Sequence, residues 1–120
     1  MPNPSFDDMA STMYPNMRQA APFGYRPDGT PKGRGFFGVL KRPDGGVMTE
    51  YSIGVNIDGR DLEIPTLVPT LTKSERDLLL RLPDGEPPPK SIQDKAIKFA
   101  RKRLSEGKPV FAEPNESPEP

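Results

Sequence analysis

The sequence contains neither cysteine nor histidine, and much chemistry goes with them. Without cysteine there is no disulfide framework, no thiolate nucleophile and no zinc–thiolate site. Without either residue most nucleophile–base pairs are excluded. A net charge is missing too. Seventeen Lys+Arg balance seventeen Asp+Glu, so overall charge favours neither nucleic acid nor a membrane surface as partner. Long hydrophobic runs are absent, since the aliphatic stretches are a few residues against the roughly 20 that cross a bilayer. The first residues, Met1-Pro2-Asn3-Pro4 with Asp7 and Asp8 close behind, do not resemble a signal peptide. The expectation is a soluble protein without a membrane span, in keeping with a reducing cytoplasm.

Hydrophobic residues make up only 32% of the 120 residues, below the ~45–50% of an average globular chain. Seventeen prolines and eleven glycines add nearly a quarter of the chain as backbone punctuation. A single small domain is expected, with thin stability and with segments ordered only through contact.

Residues 1–34 read as an irregular arm, because six prolines (Pro2, Pro4, Pro15, Pro22, Pro27, Pro31) interrupt any long helix or central strand. A short helical turn fits after Ser5, with Phe6, Met9, Ala10 and Met13 on one face. Arg26-Pro27-Asp28-Gly29 is a turn signal, and the same four residues recur at 42–45. The flanking residues do not repeat, so this is one turn chemistry used twice.

Residues 35–110 read as the folded module. Val47, Thr49, Tyr51, Ile53, Val55 and Ile57 alternate with Met48, Glu50, Ser52, Gly54 and Asn56, which predicts one long strand. Phe36 to Arg42 is its expected partner on one side. On the other, Asp58-Gly59 turns into a strand carrying Leu62 and Ile64 that ends at Pro65. The fold class predicted is α+β: a small three-stranded antiparallel β-meander with two helices, flanked by extended Pro-rich arms. The first helix starts at the capping box Thr72-Lys73-Ser74-Glu75, carries Leu78, Leu79 and Leu82, and stops at Pro83. The second starts at Ser91 and stops near Gly107, with Ile92, Ala96, Ile97, Phe99, Ala100 and Leu104 along one side. Tyr51, Ile53, Val55, Leu62, Ile64 and Phe99 are the expected core. Residues 111–120 read as an acidic, Pro-rich and solvated tail.

Candidate chemistry is sparse. Ser91 and Lys95 lie one helical turn apart, but in what reads as a capped surface helix. Glu50 and Glu63 on neighbouring strands are the nearest thing to a carboxylate pair; solvated sheet-face positions explain them better. Gly33-Arg34-Gly35-Phe36-Phe37-Gly38 matches G-x-G-x-x-G, yet the dinucleotide fingerprint needs a strand before it and a helix after it. Here an arm precedes and a strand follows. No catalytic residue, cofactor or metal site is therefore assigned. Lys95, Lys98, Arg101 and Lys102 share one helix face and are candidate phosphate contacts. Amphipathic helices ordinarily show Lys and Arg to solvent, and no aromatics interleave for base stacking. Phe6, Met9, Met13, Met17 and Phe23 are candidate partner-docking residues, since methionine adapts to binding surfaces and an apolar arm prefers cover.

Three stretches carry a resemblance: Asp44-Gly45-Gly46, the run from Glu50 to Arg60 with Ser52-Ile53-Gly54-Val55 and Asp58-Gly59, and Glu63-Ile64-Pro65-Thr66-Leu67. With Leu71-Thr72-Lys73-Ser74-Glu75 and Ala96-Ile97-Lys98-Phe99-Ala100, they resemble a short module of tailed-bacteriophage virion proteins over roughly residues 43–106. The helix of that family often ends in a Leu-His sequence, which this histidine-free chain lacks. The module also occurs within larger internal virion proteins, some with murein-cleaving domains, and no such domain fits here. The resemblance implies a non-enzymatic virion structural or accessory protein of head, neck, tail or interior, made in the host cytoplasm. It implies other virion proteins as partners, in multiple copies, with the arms tying neighbouring subunits. The alternative is a small nucleic-acid-contacting protein using the basic face of helix 91–106.

Overall fold

A computed structural model describes residues 21–118 of the chain. The fold is α+β, with two two-stranded antiparallel sheets and two helices. The first sheet pairs β1 (Leu40–Lys41) with β2 (Val47–Met48), and the second pairs β3 (Ser52–Ile57) with β4 (Arg60–Pro65). Helices α1 (Lys73–Arg81) and α2 (Lys90–Ser105) follow, and a 3-10 turn spans Pro114–Glu116.

Local sequence explains most boundaries. In the β3–β4 turn Asp58 and Gly59 have φ of 53° and 84°, the doubly left-handed geometry that Asp-Gly adopts in two-residue hairpins. Asn56 steadies the turn, its Oδ1 accepting the Gly59 N–H at 3.1 Å. In the β1–β2 turn Gly45 takes φ 92°, and Asp44 Oδ1 accepts the Gly46 N–H at 2.9 Å. Helix α1 opens on the expected capping box: Thr72 Oγ1 accepts the Glu75 N–H at 3.2 Å, and Glu75 Oε1 accepts the Thr72 N–H at 2.9 Å. It closes on Leu82, just before Pro83. Helix α2 starts one residue before Ser91, with Pro89 as N-cap and no side-chain cap bond.

The three-stranded meander is not what forms. The long strand expected over 47–57 is broken at 49–51 into β2 and β3, which belong to different sheets. Glu50, expected on a solvated sheet face, is only 4% exposed. Its carboxylate accepts from Arg26 Nε and Nη2, both at 2.7 Å, and from the Gly33 N–H at 2.8 Å. The Tyr51 carbonyl continues the β3–β4 register by one step, accepting the Thr66 N–H at 2.7 Å and also the Thr66 hydroxyl at 2.6 Å. The break therefore centres on Thr49 and Glu50, where the Glu50 carboxylate is held by Arg26 and Gly33. The expected strand over 36–42 shortens to two residues for a related reason: Gly35 and Gly38 have φ of 73° and 75°, outside any strand.

Crossing the break also changes the buried face. Met48 is buried and Val47 is 53% exposed, the reverse of the single-strand expectation. Beyond it the alternation holds, with Ile57 buried, Ile53 and Val55 half-buried, and Gly54 and Asn56 outside. Two apolar clusters result. Met48, Leu67, Val68, Leu71, Leu79 and Ile92 form one, with Tyr51 and Phe99 packed at its edge. Ile57 and Ile64 meet Ala96 and Ala100 in the other, flanked by Ile53, Val55 and Leu62. The expected core group is thus divided, and only Ile64 of its members is fully buried. The two alanines let α2 lie close on the β3–β4 hairpin.

Candidate docking surface

The residues leading into the module fold as a small hairpin of their own. Arg26-Pro27-Asp28-Gly29 turns as expected, the Gly29 N–H bonding the Arg26 carbonyl at 2.9 Å. Asp28 accepts from the Thr30 hydroxyl at 2.7 Å and from its N–H at 2.9 Å. These bonds hold the Asp28 carboxyl below its ordinary pKa. A bridge between Tyr25 and Pro31 completes the hairpin.

Arg26 then anchors it. Besides its two bonds to Glu50, its guanidinium lies 3.9 Å from the Phe111 ring centroid. One cation therefore joins the segment before the module, the break at 49–51 and the segment after α2.

The C-terminal segment has its own anchor. Arg103, 3% exposed on the inner side of α2, donates to Glu116 at 2.6 and 2.7 Å. It also donates to the carbonyls of Pro109 at 2.7 Å and Phe111 at 3.1 Å. Hydrogen bonds from Arg103 and from the Glu113 N–H hold the Glu116 pKa down at about 2, and the same pairing raises that of Arg103. Ser117 donates its hydroxyl to the Gly35 carbonyl at 2.7 Å. The stretch over 113–118 is largely exposed, as expected of a solvated tail, but it is fastened to the module at Glu116 and Ser117. The inward position of Arg103 has a sequence signal: it extends the spacing of Ile92, Ala96 and Ala100, which are also buried.

Between the leading hairpin and the 47–52 strip lies a groove of about 420 Å³. Phe23, Tyr25 and Lys32 line one side, and Val47, Thr49 and Tyr51 are among the residues of the other. Tyr25 is 61% exposed and Val47 53%, two of the three large apolar residues most open to solvent among those described. Of the expected docking residues, Phe23 stands in this groove. Phe6, Met9, Met13 and Met17 lie outside the described residues.

The four candidate phosphate contacts fare unequally. Lys95 donates to Glu75 at 2.6 Å, which lowers the Glu75 pKa, and Arg101 bonds both oxygens of Asp58 at 3.0 and 3.1 Å. Lys98 and Lys102 are exposed and make no ion pair among the described residues. Glu50 and Glu63 do not form a pair, because Glu50 is turned to Arg26 while Glu63 stands opposite Gly54 in the hairpin. Among the described residues no group of three or more acidic side chains is placed to hold a metal ion, and no helix is long and apolar enough to cross a membrane. No protein-family model, no curated protein and no solved structure matches the chain.

Proposed function

We propose that this chain is a non-enzymatic structural or accessory component of a tailed-phage particle, a small module that docks to neighbouring subunits through its irregular ends. The observation that carries the docking part is the groove beside Phe23. There, Tyr25 and Val47 leave apolar surface open where the arm joins the module. Open apolar side chains gathered beside polar groups are the usual mark of an association surface. The virion part rests on the resemblance over residues 43–106. The fastenings of Arg26 and Arg103 suit this role, because a docking arm transmits hold only if its root is fixed.

The nucleic-acid alternative has less support. Two of the four cations on the α2 face are already bonded to carboxylates, and each would have to leave its partner to meet a phosphate.

The test is composition of the particle. In lysates of cells producing the phage that encodes it, the chain should sediment with intact particles and resist removal by high salt. Its absence from purified particles would overturn the proposal. Release from particles between 50 and 200 mM salt would instead favour phosphate contacts.

A further inference from the structure

We infer that Asp84-Gly85, in the loop between α1 and α2, is a site of spontaneous covalent modification, where the aspartyl linkage closes to a succinimide and reopens as isoaspartate. Water is the only reactant, and the chemistry is independent of what the module docks to.

Asp-Gly occurs four times, at 28–29, 44–45, 58–59 and 84–85. Glycine has no side chain to shield its own N–H, so this dipeptide suits ring closure. The glycine nitrogen loses its proton and bonds to Cγ of the protonated carboxyl, and a C–OH bond breaks to release water. Water then adds back to the ring. Attack at Cγ restores aspartate. Attack at the main-chain carbonyl breaks its bond to nitrogen, so the chain runs on through Cβ and Cγ and leaves a free α-carboxylate. The isoaspartyl product has the mass of the starting chain.

Three of the four pairs follow a proline, Pro27, Pro43 or Pro83, so the preceding residue does not rank them. Exposure does not rank them either, because all eight residues are open to solvent. Hydrogen bonding does. In the turns at 26–29 and 42–45 the glycine closes the turn, its N–H donating to the Arg26 carbonyl at 2.9 Å and to the Arg42 carbonyl at 3.1 Å. The Gly59 N–H donates to Asn56 Oδ1 at 3.1 Å. Each of these nitrogens must break a bond before it attacks. The carboxyls are held as well: Asp28 by Thr30, Asp44 by the Gly46 N–H and Asp58 by Arg101.

Pro83-Asp84-Gly85 sits in a different register. Leu82 ends α1 as its C-cap, and the turn begins one residue later than in the other two. Here the Glu86 N–H closes on the Pro83 carbonyl at 3.1 Å, which puts Gly85 inside the turn with φ 84°. The glycine nitrogen is no longer the closing donor. Among the described residues neither the Gly85 N–H nor the Asp84 carboxyl has a hydrogen-bond partner.

The position gives the change a consequence. An isoaspartyl linkage adds one methylene to the main chain just before Glu86, whose carbonyl accepts from the Tyr51 hydroxyl at 3.3 Å. Two residues on, the carbonyl of buried Pro88 accepts from Gln93 at 2.6 Å. The lengthened backbone therefore enters where the start of α2 is tied to the residue leading into β3.

Ageing the full-length chain at neutral pH in water enriched in heavy oxygen tests this. After digestion, each isoaspartyl peptide elutes apart from its aspartyl form and carries a heavy oxygen from its passage through the ring. In the folded chain, conversion at Asp84 should exceed that at Asp28, Asp44 or Asp58 about fivefold or more, the rate factor for breaking one hydrogen bond before attack. In denaturant the three Pro-Asp-Gly sites should converge. Asp84→Glu should remove most of the isoaspartate the folded chain forms, because glutamate must close a larger ring. Equal rates at the four sites of the folded chain, or a lead at any other site, overturn the inference. A lead at Asp84 that persists undiminished in denaturant overturns it too, since local sequence and not the turn would then set the rate.

Discussion

Arg103 and Glu116 form the most completely engaged ion pair among the described residues, with both guanidinium ends bonded at 2.6 and 2.7 Å and Arg103 side-chain exposure at 4%. The geometry is the two-pronged guanidinium–carboxylate fork that lysine cannot reproduce. Replacing Glu116 by Gln removes the negative charge and one of the two acceptor oxygens, leaving the buried cation with one amide oxygen beside the Pro109 and Phe111 carbonyls. Glu116→Gln is therefore expected to cost about 1.5–3 kcal/mol in denaturant unfolding. Arg103→Lys should be destabilising as well despite keeping the charge. A Glu116→Gln protein with unchanged unfolding midpoint would show that the tail contact contributes nothing.

The same pair sets an acid dependence. Glu116 sits at about 2, below its ordinary 4.5, because Arg103 and the Glu113 N–H bond its charged form. A carboxylate lowered on folding contributes stability that is complete above the ordinary value and is lost as pH falls through the folded value. The gap in melting temperature between wild type and Glu116→Gln should thus be full at about pH 6 and narrow between 4.5 and 2. A gap constant down to pH 2 would contradict the assignment.

Burial ranks the apolar side chains of the hairpin. Ile64 is fully enclosed against Ala96 and Ala100, whereas its cross-strand partner Ile53 is half-buried. Ile64→Ala should cost ~2–5 kcal/mol, a large share of a small domain's stability. Ile53→Ala should cost less than about 2 kcal/mol, since less area leaves water. Equal losses would mean that the two side chains, which share one face of the hairpin, are equally covered.

What the residues disclosed, and what they concealed, divides by range. Thr72 and Glu75 find each other three residues apart, and Asp58-Gly59 closes a turn by its own backbone preferences, so both were legible. Both helices and the β3–β4 hairpin follow from such local rules. The break at 49–51 was not legible, because Glu50 looked like any polar residue in an alternating strand. Its partner Arg26 is 24 residues away. Arg103 sat among basic residues that resemble a solvated face, and only its spacing from Ala96 and Ala100 betrays it. Glu116 lies 13 residues beyond, in a stretch whose proline and acid content reads as solvent-loving. The docking groove shares this difficulty. Its walls are assembled by Arg26 and Glu50, and neither wall carries a motif.

Gly35 offers a separate check on the break. It has φ 73°, and a Cβ there would stand 2.1 Å from the Thr49 carbonyl oxygen, a backbone atom that cannot turn aside. Gly59 has φ 84° with nothing within 4 Å of the same added atom. Gly59→Ala should therefore pay only for its dihedral, about 1 kcal/mol. Gly35→Ala adds a clash to that strain and should cost about 2 kcal/mol or more. Proteolysis after Arg34 should rise in Gly35→Ala alone. Matched effects at the two glycines would mean that the 49–51 strip is free to move away.

The α2 face gives the sharpest contrast between docking and phosphate binding. Each phosphate contact contributes a slope of about −0.9 to log affinity against log salt on duplex DNA. Lys98 and Lys102 are exposed without ion pairs among the described residues, whereas Lys95 and Arg101 are held by Glu75 and Asp58. If only unpaired cations reach phosphate, Lys98→Gln/Lys102→Gln should flatten the slope by at most about 1.8. Adding Lys95→Gln and Arg101→Gln should then change it no further. Those pairs are not equal in strength: Arg101 and Asp58 are 51% and 76% exposed, and such surface pairs are worth at most about 1 kcal/mol. Arg101 is accordingly the residue most able to exchange its carboxylate for a phosphate, and it should be replaced singly as well. Fluorescence anisotropy with a short duplex at several salt concentrations reads all these slopes. A further flattening of about 1.8 from the second pair would show that both ion pairs open to phosphate. The basic helix would then displace the groove as the surface on which function is built.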